Sequence, residues 1–482
     1  MARSTSCTAA KTCKHKSRPA TCDGLTRIDS FVVPNLDAIV KAYDIRGTVP
    51  DQLDSVAAHA LGVAFAKFAN AKMIVVAHDM RPSGPDLVEA FQRGVTEQGV
   101  DVINLGLAST DMLYFASGKL DAPGAMFTAS HNPAQYNGIK CCLSGARSIG
   151  IDNGLREIKV IAQDVINGTG PPNAKTPGEV TKKNMLAEFV DHVVGFIDVA
   201  AISKLRVVAD TANGMGGLVA PAVFDRLKKF EVEIMYGELD GTFPNHPADP
   251  IQPANQRDLQ ARVISGKFDV GLAFDGDADR VFLVDETGKS VSGSTTTALL
   301  ASVFLRENPN ATILYNLICS RIVPETITEL GGKPIRTKNG HSYMKQVMAQ
   351  TGAVFAGEHS GHYYFADNYR ADSGLIATMV ILGEMCRTGK SLSELRKPFE
   401  KYANSGEINT QVEDMQVVID RVTKKYSAFP QDHLDGLTVD CGSWWFNVRP
   451  SNTEPLLRLN LEAATREECD EHVAELLMLI TA

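Results

Sequence analysis

Three aspartates stand at alternating positions in the string FDGDADR, where Asp275, Asp277 and Asp279 directly follow an apolar, strand-like run. Carboxylates held this closely repel one another unless a cation or solvent separates them. Acidic loops are often simply solvated, but apolar runs flank this one on both sides, so the charges stay together. The spacing therefore predicts a site for a hard divalent cation, which prefers oxygen ligands.

Arg280 follows the aspartates at once. The rival interpretation is a calcium-binding EF-hand loop, because the acidic spacing, including Glu286, matches four of its ligand positions. That loop needs a glycine where Arg280 stands, and a hydrophobic strand at 281–284 replaces its second half. A guanidinium beside a metal ion suits a phosphoryl group instead, since both cations neutralise its equatorial oxygens.

A serine follows a second apolar run in GAMFTASHNPAQYNGIK. Ala125–Phe127 predicts a short buried strand, while Pro133 and the turn signal Asn137–Gly138 oppose a helix, so we expect Ser130 in a tight, exposed loop. Taken alone, the segment is most simply a surface turn. A Ser–His pair also suggests a hydrolase, but sequence neighbours seldom face each other and the G-x-S-x-G elbow is absent. A serine that carries a phosphoryl group is the third interpretation.

Two further strings suit a sugar phosphate. In GEHSGHYYF, a turn between strands carries Glu358, Ser360 and His362, which offer acceptors for hydroxyl groups and a titratable ring. A lone histidine in such a turn is more often structural, so this string depends on its companions. In RPSNTEP, the loop carries a cation, hydroxyl groups and free backbone N–H groups, a combination that can cradle phosphate or form an ordinary turn: Arg449, Ser451, Asn452 and Thr453.

The chain has 482 residues, too many for one core, so several domains are expected. Its net charge of −9 argues against nucleic acid or an anionic membrane as the main partner. Nine scattered cysteines without C-x-x-C spacing indicate reduced thiols and a cytoplasmic location. The first 22 residues contain five basic and no acidic residues and few large apolar ones, so we expect a disordered tail over residues 1–30 rather than a transit peptide.

The pattern strand, polar loop, helix occurs three times after this tail, and short strands with one helix follow. This order predicts an α/β fold, with three similar α/β domains of mixed sheets plus a smaller C-terminal α+β domain around a central cleft. The expected domain boundaries are 31–177, 178–289, 290–403 and 404–482. In α/β domains, ligands bind at the loops that follow the strands.

In their order along the chain, these strings resemble the α-D-phosphohexomutases. Two further strings carry the same resemblance, AYDIRG (42–47) and GTFPNHPADP (241–250). The resemblance covers nearly all of the chain after residue 30. It implies an isomerase that moves a phosphoryl group within a hexose through a phosphoserine and a hexose 1,6-bisphosphate intermediate. It also implies Mg²⁺ held by an oxygen of the phosphate on Ser130 together with Asp275, Asp277 and Asp279.

The resemblance assigns the remaining roles residue by residue. The implied catalytic residues are Ser130, Lys140, Arg46, Arg280 and His362. The implied substrate-binding residues are Tyr43, Lys338, His341, Glu358, Ser360, Arg449, Ser451, Asn452 and Thr453. Four of these residues belong to the C-terminal domain, and we expect them to hold the phosphate that is not reacting: Arg449, Ser451, Asn452 and Thr453.

The substrates implied are small-molecule hexose phosphates, with no nucleic acid or membrane partner, for a monomer or weak dimer. The string GEHSGH favours the branch acting on mannose and glucose phosphates over phosphoglucosamine mutase, whose loop reads GEQSGH. We favour the mannose 1- and 6-phosphates, although His359 departs from the usual residue. The alternatives are a phosphoglucosamine mutase and a non-catalytic sugar-phosphate-binding protein.

Overall fold

The computed structural model describes residues 34–451 and 456–481. The predicted tail, 1–30, lies outside these ranges, as do Asn452 and Thr453. The described residues form four β-sheets with helices packed on them. None of the helices in these ranges is long and apolar enough to cross a membrane.

The first sheet contains seven strands. These are β1 (Ile45–Thr48), β2 (Met73–His78), β3 (Asp101–Leu107), β4 (Gly124–Phe127), β5 (Tyr136–Leu143), β6 (Arg147–Ser148) and β7 (Val180–Lys182). Their order is β1-β5-β4-β2-β3-β7, with β6 beside β5. The pairs among β4, β2, β3 and β7 are parallel, whereas β5 is antiparallel to its neighbours. Because β7 pairs with β3, this sheet extends past the expected domain boundary at residue 177.

Helices cover both faces of the first sheet. They are α1 (Leu36–Ile39), α2 (Ser55–Ala69), α3 (Gly84–Glu97), α4 (Thr110–Leu120) and α5 (Leu155–Ile166). Successive side chains of a strand point to opposite faces, and β2 follows this rule. Ile74 and Val76 pack in a core with α2, α3 and α5, while Val75 and Ala77 join α4 in a second core. That second core continues into the next two domains, so three domains share buried apolar contacts.

The second and third domains also have mixed sheets. The second contains α6 (Leu186–Val194), β8 (Leu205–Asp210), α7 (Gly216–Phe224), β9 (Phe230–Met235), α8 (Arg257–Gly266), β10 (Val270–Phe274), β11 (Val281–Asp285) and β12 (Ser290–Val291), in strand order β12-β11-β10-β8-β9. The third contains α9 (Gly293–Glu307), β13 (Thr312–Asn316), α10 (Ile322–Glu329), β14 (Lys333–Thr337), α11 (His341–Thr351), β15 (Phe355–Gly357), β16 (Tyr363–Phe365), α12 (Gly374–Thr388) and α13 (Leu392–Arg396), in strand order β14-β13-β15-β16.

The fourth domain is smaller and its sheet is antiparallel throughout, in the order β17-β21-β20-β19-β18. Its elements are β17 (Ala403–Gln411), α14 (Met415–Lys425), β18 (Gln431–Asp432), β19 (Leu437–Asp440), β20 (Trp445–Pro450), β21 (Leu456–Ala463) and α15 (Arg466–Thr481). Apolar residues of α15, among them Leu476 and Ile480, pack in one core with this sheet. The predicted fold class is therefore confirmed: three α/β domains followed by a smaller α+β domain.

The turn predicted at Asn137–Gly138 is wrong, because both residues lie inside β5. Gly138 pairs with Arg46 of β1, and a Cβ at this glycine would lie only 2.2 Å from the backbone oxygen of Ile45. The glycine therefore permits close pairing of two strand backbones rather than a reversal of the chain.

Candidate active site

The loop that follows β4 and the loop that follows β10 meet, although 145 residues separate Ser130 from Asp275. The Ser130 hydroxyl donates a hydrogen bond of 2.9 Å to Oδ2 of Asp275. Both loops begin where a buried, nearly all-apolar strand ends. The structure thus places the Ser130 hydroxyl directly at the acidic string.

Ser130 is buried, with 4% of its surface exposed, so the expectation of an exposed serine is wrong. The second domain covers the loop: a Cβ at Gly276 would lie 2.5 Å from the Ser130 carbonyl oxygen. Ser130 adopts a positive φ of 50°, which is uncommon outside glycine. Its backbone N–H donates to Oγ1 of Thr128 at 2.9 Å, which anchors the residue in this conformation.

The three aspartates are fully buried and fit a divalent cation. Asp275, Asp277 and Asp279 each offer a carboxylate oxygen, and these oxygens lie within 4.8 Å of one another. Oδ1 of Asp277 and Oδ1 of Asp279 are buried without a hydrogen-bond partner among the described residues. Buried acceptors of this kind are costly unless something binds them. Oxygen atoms of this number and type are the ligands that Mg²⁺ takes.

Two cationic side chains balance much of this negative charge. The Lys140 ammonium donates to Oδ2 of Asp277 at 2.7 Å and to Oδ2 of Asp279 at 2.6 Å. Nε of Arg280 donates to Oδ2 of Asp275 at 2.9 Å, and its Nη2 lies 3.4 Å from the Ser130 hydroxyl. Ser130 Oγ is therefore within reach of a guanidinium on one side and a carboxylate on the other.

The protonation of this cluster follows from burial and from these pairs. Burial raises the pKa of Asp275 above its ordinary value, against the opposing effect of Arg280. Burial by itself would also raise the pKa of Asp277, but the Lys140 ammonium and the Thr110 hydroxyl hold this pKa below the ordinary range. Burial by itself would lower the pKa of Lys140, but the negative charges of Asp277 and Asp279 outweigh this effect and raise the pKa well above its ordinary value. Lys140 is therefore an ammonium ion in this arrangement.

His131 does not complete a hydrolase triad with its neighbour Ser130. Its Nδ1 lies 3.2 Å from the serine hydroxyl, but the same atom accepts a 2.5 Å hydrogen bond from Nη2 of Arg280. Burial and the adjacent Arg280 lower the pKa of His131 well below its ordinary value. A triad needs a carboxylate that orients the histidine, whereas here an arginine contacts it.

Arg46 and Tyr43 border the serine loop from the start of the first domain. Nη1 of Arg46 donates to Oδ1 of Asn132, in the serine loop, at 2.6 Å. The Tyr43 hydroxyl donates to the Asn339 carbonyl oxygen at 2.9 Å, so Tyr43 reaches the third domain. Burial raises its pKa, Asp435, Tyr343 and Glu358 add to this, and Arg449 opposes it. Tyr43 therefore lies within electrostatic range of groups from the third and fourth domains.

Lys338 and His341 lie beside Tyr43, in and after the loop that follows β14. The ring of His341 is 6.2 Å from that of Tyr43, and the Lys338 ammonium lies 5.6 Å from the Tyr343 ring. Both ring nitrogens of His341 are buried without a hydrogen-bond partner among the described residues. These two side chains thus border the same space as Tyr43.

The GEHSGH string forms the loop between β15 and β16. Glu358 accepts from the Tyr364 hydroxyl at 2.9 Å and from the Ser360 hydroxyl at 3.2 Å. Nδ1 of His362 lies 2.8 Å from Oδ2 of Asp372 and 3.8 Å from Oδ1 of Asp279. The backbone of His362 also forms a β-bridge with Arg280. This loop is therefore joined directly to the acidic loop that carries the three aspartates.

The fourth-domain string lies on β20 and just after it. Nη2 of Arg449 donates to Glu407 at 2.7 Å, and Nη2 of Arg458 donates to the Ser451 hydroxyl at 3.1 Å. Glu407 also contacts Arg458 at 3.2 Å, so one carboxylate lies between two guanidinium groups. Two guanidinium groups and the Ser451 hydroxyl are thus close together here, while Asn452 and Thr453 are outside the described residues.

Sequence analysis did not single out several residues of this site. Asp372 fixes the ring of His362, Arg458 adds a second cation to the fourth-domain surface, and Arg81 contacts the serine loop. One signal was present for Arg81, which follows the end of β2 at the same sheet edge as the serine loop. Asp372 and Arg458 carry no local signal, because their partners lie elsewhere in the sequence.

Models of one family match the chain in four successive segments. They describe the phosphoglucomutase/phosphomannomutase α/β/α domain I at residues 37–165, domain II at 187–288, domain III at 292–402 and the C-terminal domain at 407–478. The motifs of the serine loop, the acidic loop, the GEHSGH loop and the fourth-domain loop each fall in a different segment.

Individual relatives align over most of the chain. A phosphomannomutase of Escherichia coli is 36% identical over 431 residues, which cover 88% of this chain and 94% of the relative. A Xanthomonas campestris protein named phosphohexose mutases is 37% identical, over 91% of this chain and 98% of its own length. The crystal structure of a phosphoglucomutase/phosphomannomutase family protein from Burkholderia thailandensis superposes with a TM-score of 0.82 at 30% identity, covering 91% and 97% of the two chains. The chain therefore belongs to the α-D-phosphohexomutase family, the phosphoglucomutases and phosphomannomutases, and is an isomerase that transfers a phosphoryl group within its substrate.

Proposed function

We propose that this enzyme interconverts mannose 6-phosphate and mannose 1-phosphate through a phosphoserine at Ser130 and a hexose 1,6-bisphosphate intermediate, and that it also accepts glucose phosphates. The observation that carries the proposal is the contact between the Ser130 hydroxyl and Asp275, beside two unpartnered carboxylate oxygens. Phosphoryl transfer depends on positioning and charge neutralisation more than on a strong base, which suits a serine placed among cations.

Mg²⁺ would be held by Asp275, Asp277 and Asp279, with an oxygen of the phosphate on Ser130 completing its ligands. When bound, the ion supplies positive charge that neutralises the oxygens of the transferring group. The guanidinium of Arg280 adds charge at the same group, because its Nη2 lies 3.4 Å from the Ser130 hydroxyl. Arg46 and Lys140 supply the remaining positive charge around the serine.

In the first transfer, a sugar hydroxyl forms a bond to the phosphorus and the bond from Ser130 Oγ to phosphorus breaks. The hydroxyl proton goes to His362, which we assign as the base because its Nδ1 is engaged by Asp372 and its Nε2 remains for the sugar. In the second transfer, Ser130 Oγ forms a bond to the phosphorus of the other phosphate, the bond from the sugar oxygen to that phosphorus breaks, and His362 returns its proton to the sugar oxygen. The intermediate must therefore turn end for end between the two steps.

The sugar and its second phosphate need separate contacts. Glu358 and Ser360 offer acceptors for the sugar hydroxyl groups, and both lie in the loop joined to the acidic cluster. Arg449 and Ser451, with Asn452 and Thr453, would hold the phosphate that is not reacting. Arginine and hydroxyl donors bind phosphate well because the guanidinium fork matches two of its oxygens.

The preference for mannose rests on the GEHSGH string and on the relatives named phosphomannomutase. His359, the unusual residue in this string, has its Nδ1 2.9 Å from the Ser294 hydroxyl. It therefore packs at the start of α9, within the third domain. Mannose and glucose phosphates differ only at C2, so a single contact can decide between them.

An assay primed with glucose 1,6-bisphosphate tests this proposal by comparing the 1-phosphates of mannose, glucose and glucosamine. We expect the highest kcat/KM for mannose 1-phosphate and a mass increase of one phosphoryl group on the enzyme. The variant Ser130→Ala should lose the turnover and the mass increase. The variant Ser265→Ala, at an exposed serine of the second domain, should keep the turnover and the mass increase. Turnover by Ser130→Ala near the wild-type rate would refute the phosphoserine mechanism. A preference for glucosamine 1-phosphate would favour the alternative activity, and binding without turnover would favour a non-catalytic binding protein.

A further inference from the structure

Arg81, three residues beyond the end of β2, is among the largest fully buried side chains of the described residues. Its side chain has 0% exposure, and so does that of its ion-pair partner Asp79, with Nε and Oδ2 3.1 Å apart. Burial of a charge is costly unless pairing and hydrogen bonds compensate for it. A buried arginine at this position therefore needs partners, and the serine loop supplies most of them.

The guanidinium donates four hydrogen bonds to backbone carbonyl oxygens of the serine loop. The acceptors are Ser130 at 2.9 Å, Asn132 at 2.7 Å, Pro133 at 2.8 Å and Tyr136 at 2.9 Å. Nη1 and Nη2 each serve two of them, while Nε binds Asp79. All five guanidinium N–H groups can therefore be used, as the planar fork of arginine allows and the single ammonium of lysine does not.

Three of these carbonyl groups, those of Ser130, Asn132 and Pro133, lie in the loop before β5, and the fourth belongs to Tyr136, the first residue of that strand. Ser130 has a positive φ, and Asn132 and Pro133 lie between β4 and β5. A buried carbonyl group without a donor is costly. Arg81 provides a donor to the buried Ser130 carbonyl group, and it does so at the residue whose hydroxyl contacts Asp275.

The second domain closes over the same guanidinium. The ring centre of Phe243 lies 5.2 Å from Cζ of Arg81, a cation–π contact. A Cβ at Gly241 would lie 2.6 Å from the Cα atom of Arg81, so the two backbones approach closely. Phe243 and Gly241 belong to GTFPNHPADP, a string for which the sequence analysis proposed no role. This string packs on Arg81, and Arg81 in turn holds the serine loop.

We infer that Arg81 is a positioning residue for phosphoryl transfer: it fixes the backbone of the serine loop so that Ser130 Oγ stays at the acidic cluster, and Phe243 holds Arg81 in place. This inference rests on the proposed function. Arg81 acts through the loop backbone, and its hydrogen-bond donors are directed at Asp79 and the four loop carbonyl groups.

The test compares Arg81→Lys with Arg206→Lys. Arg206 is the control, because it also donates to backbone carbonyl groups, those of Gly266 and Lys267, and lies over the Phe268 ring at 4.8 Å, but these contacts are within the second domain and do not involve the serine loop. We expect kcat of Arg81→Lys to fall about 100-fold, the loss typical of a 1 Å misplacement. Its Kd for mannose 1-phosphate should stay within about twofold of the wild-type value, because the proposed contacts to the sugar and to its phosphate come from the third and fourth domains. The control Arg206→Lys should match the wild type in kcat and in Kd.

Hydrogen–deuterium exchange supplies a measurement that does not depend on turnover. The peptide covering 128–136 should exchange faster in Arg81→Lys than in the wild type or in Arg206→Lys. For Arg81→Ala, kcat should be at least tenfold higher with added methylguanidinium than without it. If Arg81→Lys keeps kcat within threefold, or loses affinity as much as kcat with unchanged loop exchange, the inference is overturned. If the wild type itself does not turn over hexose phosphates, the proposed function fails, and the exchange comparison alone decides whether Arg81 holds the loop.

Discussion

Lys140→Met should convert the acidic cluster into a stronger magnesium site while it destabilises the metal-free protein. The Lys140 side chain is 5% exposed and forms ion pairs with Asp277 and Asp279, which are 0% and 1% exposed. Methionine retains most of the side-chain length but removes the charge. The two carboxylates then lose their internal cation, and their Oδ2 atoms become available to a metal ion.

The magnitude follows from these contacts. Removing one partner of a buried ion pair costs about 3–5 kcal/mol, which corresponds to a fall in Tm of roughly 6–20 °C for a domain of about 150 residues. Mg²⁺ at 100 times its Kd returns about 2.7 kcal/mol, or roughly 5–11 °C. We therefore expect Mg²⁺ to restore about half or more of the lost stability. In the wild type the rise should be smaller, because Lys140 already forms ion pairs with two of the three carboxylates.

Thermal unfolding in EDTA and in Mg²⁺ measures both effects. Arg396→Met is the matched control, since Arg396 forms a buried ion pair with Asp285 at 2.8 Å outside the acidic trio. This control should lose stability in EDTA, and Mg²⁺ should not raise its Tm more than it raises that of the wild type. If Mg²⁺ stabilises Lys140→Met no more than Arg396→Met, the idea that Lys140 shares these carboxylates with a metal ion is refuted.

Arg449→Gln should raise the Kd for mannose 1-phosphate about 10- to 150-fold, because a charged hydrogen bond contributes about 1.5–3 kcal/mol; calorimetry measures it, with Arg421→Gln of the same domain as control. The rate constant for phosphorylation of Ser130 at saturating glucose 1,6-bisphosphate should change less, and an equal loss of both would contradict the assigned role. His246 should make stability depend on pH: burial acts downward on its pKa, but Asp210, whose Oδ2 lies 3.0 Å from Nε2, raises it above 6.5. The stabilisation is complete below pH 6.5 and is lost as the pH rises through the raised pKa, so Tm of the wild type should fall relative to that of His246→Gln as the pH rises above 6.5, and parallel curves would exclude this effect.

Much of the site could be predicted because the serine, acidic and GEHSGH strings each follow the end of an apolar strand. The runs before Ser130 and Asp275 form β4 and β10, and the loops that follow them meet, although the two strands belong to different sheets. The three predicted α/β domains and the smaller last domain are present. In these segments the signal is local: apolar residues alternate or cluster, and polar residues begin where the strand ends.

The wrong expectations have a common cause. Asn137–Gly138 is a turn signal in isolation, but in the fold the glycine admits the Ile45 backbone at a distance that any side chain would obstruct. Ser130 was expected to be exposed because its loop is polar, yet the second domain covers it. In both cases a segment from elsewhere in the chain supplies the contact that decides the outcome.

The amino-acid sequence by itself determined the strands, the loops that end them and the residue types that those loops carry. Only the tertiary structure decided that Lys140 neutralises Asp277 and Asp279, more than 130 residues away, and that Arg81 holds the carbonyl groups of the serine loop. Local preferences act over a few residues, so periodicity reveals them. Charge pairing and burial depend instead on which distant segments pack together, because a buried charge is stable only beside partners that the whole fold brings to it.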